Sequence, residues 1–100
     1  MILTKATLLE NMQRHSKEIR SFGVASVGLF GSFAKNKATK KSDIDLLVEF
    51  VPKQKTFDNY MDLSFFLEDL FGRKIEIVTR QSLSKYIGPH ILKEVENVDL

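Results

Sequence analysis

The stretch Gly28–Phe50 reads GLFGSFAKNKATKKSDIDLLVEF. An apolar run ends in Gly31-Ser32, a lysine-studded segment follows, and Asp43 and Asp45 then open a second apolar run with only Ile44 between them. In a strand, residues i and i+2 point to one face. Asp43 and Asp45 therefore project together, while Ile44 and Leu46 turn into the core. Two adjacent carboxylates repel each other and resist desolvation. A divalent cation offsets that directly, and Mg²⁺ takes oxygen ligands, often one or two carboxylates plus substrate phosphates. A lone D-x-D pair is more often two solvated residues at a strand entrance, because short motifs match by chance. An EF-hand is excluded, since Leu46-Leu47-Val48 stand where that loop needs polar residues and a glycine.

Gly31-Ser32 weighs against the solvated reading. Glycine lets the backbone turn sharply and come close to a ligand. Serine adds a hydroxyl, and a short helical turn after it aims free N–H groups outward, which suits phosphate oxygens. The combined pattern is G-S-x(10)-D-x-D, a phosphate cradle ending one strand and a metal-binding pair opening the next. If the two strands are neighbours, triphosphate and metal meet in one cleft. It is not a P-loop, which requires G-x-x-x-x-G-K.

Glu76 is the third acid of interest. It lies between Ile75 and Ile77, so its side chain faces opposite to theirs. If that face is the one bearing Asp43 and Asp45, three carboxylates converge. Such a set can hold two metals, one activating an attacking hydroxyl and one steadying the leaving group. A strand glutamate facing water is about as common. Lys35, Lys37, Lys40 and Lys41 cluster beside the acidic pair. Such a run is usually a solvated loop, or else neutralises phosphate or RNA. Lys35, three residues past Ser32, is the nucleotide-binding candidate among them. His15 and His90 form no metal-ligand pair and read as structural or surface residues.

The surrounding pattern places these motifs. Residues 5–21 read as one helix on Leu8, Leu9, Met12 and Ile19, started by Thr7 or alternatively Thr4, and ended by Gly23. Val24–Phe30 reads as a strand between glycines, and Ile44–Val51 as a second, stopped by Pro52 and apolar enough to suggest burial on both faces. Phe57–Phe71 reads as a helix capped by Asp58 and closed by Gly72; Ile75–Val78 reads as a third strand. Gly88-Pro89 opens a last helix carrying Ile91, Leu92 and Val95. The order is helix, strand, helical turn, strand, helix, strand, helix.

The totals are compatible with this. The 100 residues form one compositional block and read as a single domain, residues 1–100. A chain of this size buries roughly 65% of its unfolded surface, enough for one core. The 43% hydrophobic share and eight Phe support a folded globule. With no Cys there is no disulfide framework and no thiolate metal site, which fits a reducing cytoplasm. No signal pattern opens the chain, and no apolar run approaches the ~20 residues that cross a bilayer. The net charge of +2 says little about partners.

Three segments together resemble the minimal nucleotidyltransferases of the DNA polymerase β-like superfamily: Gly31-Ser32-Phe33-Ala34, Ser42-Asp43-Ile44-Asp45-Leu46-Leu47-Val48, and Gly72-Arg73-Lys74-Ile75-Glu76-Ile77-Val78-Thr79. Leu83 to Val98 also looks like the family's closing segment, so the resemblance spans nearly the whole chain. It implies an α+β fold, a small mixed β-sheet flanked by helices. It implies transfer of a nucleoside monophosphate from ATP to a hydroxyl with Mg²⁺, with Asp43, Asp45 and Glu76 as catalytic and metal residues and Gly31, Ser32 and Lys35 at the nucleotide. Many minimal members resemble the antitoxin half of a two-protein module whose toxin is a HEPN-domain ribonuclease, and members adenylylate a tyrosine of that toxin. The implied assembly is a hetero-oligomer. Two departures stand out: Lys35-Asn36 replaces the family's Arg-Gly, losing the bidentate fork, and Glu76 replaces the usual Asp. They motivate an alternative, a non-catalytic antitoxin that neutralises its partner by cover alone. A third reading, transfer to RNA ends, rests only on the lysine run and lacks an added RNA-binding domain.

Overall fold

The computed structural model describes residues 3–83 and 88–100. Helix α1 spans Lys5–Arg14. Of the two candidate starts Thr4 is the cap, its hydroxyl accepting the Thr7 N–H at 3.2 Å. The expected single helix over 5–21 is two, because α2 (Ser16–Ser21) begins after a break at His15. The His15 N–H is shared between the Asn11 and Met12 carbonyls, and its imidazole Nδ1 donates to the Asn11 carbonyl at 2.8 Å. That side chain competes for the carbonyl the helix ladder uses. Gly23, at φ +82°, then turns the chain into β1, Val24–Phe30.

A single helical turn, α3 (Gly31–Ala34), follows β1, and a loop leads to β2, Ile44–Phe50. Helix α4 is Phe57–Phe71, as its wide apolar face predicts. Its cap is Thr56 rather than Asp58: the Thr56 hydroxyl accepts the Asn59 N–H at 3.1 Å, and Asp58 sits inside the first turn. Gly72 closes α4 in the left-handed region at φ +63°. Then come β3 (Ile75–Thr79), a 3-10 turn (Arg80–Ser82), α5 (Gly88–Glu94) and β4 (Glu96–Val98). The expected closing segment runs partly through 84–87, outside the described residues.

The four strands lie in the order β3-β2-β1-β4. β1 pairs antiparallel with both β2 and β4, whereas β2 and β3 are parallel, so the sheet is mixed. The fold is α+β, as the resemblance implied. β4 was not expected: it has three residues, of which only Val98 is buried, and its partner β1 is distant in sequence. One face of the sheet is the core. Ile44, Leu46 and Val48 of β2 are fully buried there with Leu8, Met12 and Ile19 of α1 and α2 and Leu63 and Leu67 of α4. The expectation that β2 is buried on both faces does not hold: on the other row Asp45 and Leu47 are half-buried and Glu49 is exposed. No described helix is long and apolar enough to cross a membrane.

Candidate active site

The open face of the sheet carries Asp45 and Glu76. β2 and β3 pair in register with Ile44 opposite Ile75 and Asp45 opposite Glu76. Ile44 and Ile75 are both buried, so Asp45 and Glu76 share the opposite face, on strands about 4.8 Å apart. Asp43 lies just before β2 and is half-buried. On the other flank Phe30 of β1 pairs with Asp45, and the next residue, Gly31, turns the chain against the Asp45 carboxylate.

Gly31 has φ +75°, a conformation that side chains other than glycine's rarely take. A Cβ there would lie 2.2 Å from Asp45 Oδ2 and 3.1 Å from its Cγ. The absence of that one carbon lets the turn after β1 sit against the Asp45 carboxylate. Ser32 follows in α3, half-buried, and Phe33 anchors the turn in the core at 1% exposure.

Electrostatics mark the same spot. Burial lifts the Asp45 carboxyl above its ordinary range, and the charges of Glu76 and Asp43 push it further the same way. The donor set is oxygen only, which suits Mg²⁺. Among the described residues no three His, Cys, Asp or Glu side chains are gathered to hold one ion between them. Asp43 and Asp45 with oxygens from a bound phosphate match the way Mg²⁺ is usually held, with nucleotide completing the set. Glu76 shares the face but is exposed.

Lys35 is placed differently from the sequence expectation. Its Nζ lies 3.2 Å from Glu94 of α5, so it is engaged by a carboxylate rather than standing free for phosphate. Lys37, Lys40 and Lys41 are exposed. Two features had not been singled out in the sequence. Arg73 donates from one Nη1 to the carbonyls of Thr39 and Ser42, both at 2.9 Å, and its guanidinium carbon lies 5.2 Å from the centre of the Phe33 ring. Its place between Gly72 and a strand was the only signal. Beyond Leu47 the open face also holds a cavity of about 270 Å³ that includes Ser26, Glu49 and Arg80 and is bordered by Leu92 and Val95. Glu49 and Arg80 pair there at 3.8 Å.

The chain matches the nucleotidyltransferase domain model over residues 12–97. The protein adenylyltransferase MntA of Thermococcus cleftensis is 35% identical over 97 residues, covering 94% of this chain and 95% of that protein. A Methanocaldococcus jannaschii protein, provisionally named protein adenylyltransferase MJ1379, is 33% identical over 95 residues, with 93% and 92% covered. Among solved structures, one provisionally described as a minimal nucleotidyltransferase superposes with a TM-score of 0.80 at 28% identity, covering 98% of this chain and 97% of that one. A chain of a toxin–antitoxin crystal structure with AMP-PNP has the same fold, with a TM-score of 0.70 at 22% identity over 89% of this chain and 73% of that one.

Proposed function

The chain belongs to the nucleotidyltransferase domain family, in its minimal branch, and from that premise we propose that it transfers AMP from ATP to a hydroxyl of a partner protein. The acceptor is a tyrosine of a HEPN-domain ribonuclease toxin, for which this chain is the antitoxin. The partner supplies the acceptor's docking surface and the pair forms a hetero-oligomer in the cytoplasm. The observation that carries the reading is the meeting of Gly31, Asp45 and Glu76. The Gly31 turn lies against Asp45, whose carboxyl pKa is raised, and strand register sets Glu76 beside Asp45 on the same face.

Each residue has a task in that arrangement. The Gly31-Ser32 turn holds the terminal phosphates close to the backbone. Asp43 and Asp45 would hold Mg²⁺, which when bound would offset the negative charge of the triphosphate and its leaving group. Glu76 accepts a hydrogen bond from the acceptor hydroxyl and takes its proton as the oxygen attacks the α-phosphorus. The bond from that phosphorus to the bridging oxygen breaks, pyrophosphate leaves toward Gly31, and the tyrosine carries AMP. Gly31 and Glu76 flank Asp45 on opposite sides, which suits an in-line displacement. Lys35 joins the phosphates once released from Glu94.

The test uses labelled ATP, Mg²⁺ and the neighbouring gene's product. We expect label to reach the partner with the native chain and not with Asp43→Asn plus Asp45→Asn. Transfer by the double variant, or none by the native chain, refutes the mechanism. The Lys35–Glu94 pair, with Lys35-Asn36 and Glu76 in place of the family's residues, favours a second reading: neutralisation by cover alone. Full neutralisation by the double variant supports it, and loss of neutralisation counts against it.

A further inference from the structure

We propose that Arg73 is a positioning residue for nucleotidyl transfer, fastening the loop that delivers Asp43 to the turn that follows β1. The inference rests on the role given to Asp43 above. The loop from Lys35 to Ser42 carries four lysines that repel one another. Its last residues fold into a small turn in which the Ser42 N–H bonds the Thr39 carbonyl at 3.1 Å and the Thr39 N–H bonds Ser42 Oγ at 2.8 Å. Arg73 closes that turn from outside by bonding both its carbonyls, at 2.9 Å each. The second carbonyl belongs to the residue directly before Asp43.

The same guanidinium lies over the ring of Phe33, which is buried inside the Gly31–Ala34 turn. One planar cation thus touches both halves of the site. Its own backbone is fixed on either side: Gly72 closes α4, and the Lys74 carbonyl accepts the Ile44 N–H at 3.0 Å. Among the described residues, the partners of Arg73 are two carbonyls and a ring rather than a carboxylate. Lysine could keep the charge but could not bond both carbonyls while stacking.

The experiment compares Arg73→Lys and Arg73→Met with the native chain in complex with its partner. Both variants are expected to lower kcat on the order of 10- to 100-fold, as loss of an outer-shell contact does. The KM for ATP, measured at Mg²⁺ below saturation, should rise as well, because the ion that Asp43 would hold also takes oxygens of the nucleotide. Mn²⁺ binding, titrated by its spin resonance with a non-hydrolysable ATP analogue present, should weaken on the same scale as kcat. Hydrogen exchange at the amides of Thr39 and Ser42 should speed up while the melting curve stays cooperative. If Arg73→Lys matches the native chain in kcat and Mn²⁺ affinity, the proposal falls. Unchanged exchange in both variants overturns it as well. Should Arg73→Met not fold, Arg73→Lys alone decides. The exchange measurement reads the fastening without any turnover, so failure of Arg73's role is distinguishable from failure of the transfer reading.

Discussion

Replacing Gly31 by alanine separates the backbone role of that glycine from its contact with Asp45. At φ +75° an L side chain costs about 1–2 kcal/mol. Gly72→Ala meets the same backbone cost at φ +63° with nothing within 4 Å of the added carbon, so it calibrates that part. For a chain of this size each loss corresponds to about 5–15 °C in melting temperature. The collision is additional. A Cβ at 31 meets Asp45 Oδ2 at 2.2 Å, and the carboxylate has to swing away because its Cγ and Cβ are also close, at 3.1 and 3.3 Å. Moving a reacting-site group by about 1 Å costs on the order of 100-fold in rate, or roughly 2.7 kcal/mol of transition-state stabilisation. Gly31→Ala is therefore expected to melt at or below Gly72→Ala and to lose AMP transfer on that scale. The assay pairs thermal unfolding with initial rates of label transfer. Equal rates for Gly31→Ala and the native chain would refute the contact between turn and carboxylate.

Asp45→Asn should raise the melting temperature near neutral pH while abolishing transfer. The native carboxyl has a raised pKa, so folding binds a proton more tightly than the unfolded chain does. Its favourable contribution is complete below the unfolded pKa and is lost as pH rises through the folded one. The advantage of Asn should thus vanish in acid; a lower melting temperature than the native chain at pH 7 contradicts the repulsion. Gly28→Ala should cost about 1–3 kcal/mol by overpacking, since its Cβ would lie 2.3 Å from Val95 Cγ2. Denaturant titration checks this, and an unchanged midpoint would mean that Val95 does not bear on the sheet there.

Much of this architecture could be read from local pattern, and the exceptions share a cause. Helix α4 was legible because Leu63, Leu67 and their neighbours make an apolar stripe that needs no partner to identify it. β2 was legible through Ile44, Leu46 and Val48. The break at His15 was not, because it depends on where an imidazole points. β4 was not, because three residues carry no periodicity and the pairing that holds Glu96–Val98 lies on β1. The same division runs through the site. Asp43, Asp45 and Gly31-Ser32 stand close together in sequence, and spacing alone was enough to expect them in one cleft. That Glu76 shares their face required the parallel register of β2 and β3. The grip of Arg73 on Thr39 and Ser42 spans more than thirty positions and leaves no trace in any short window.

The alternation along β2 makes the acid-bearing row and the packed row mutually dependent on counting. Inserting or deleting one residue within Ile44–Phe50 would drive Asp45 into hydrocarbon and turn Leu46 out to water at once. The lysine-bearing loop ahead of it has no such parity to keep. A residue added to or removed from that loop would therefore leave the facing of every β2 side chain as it is.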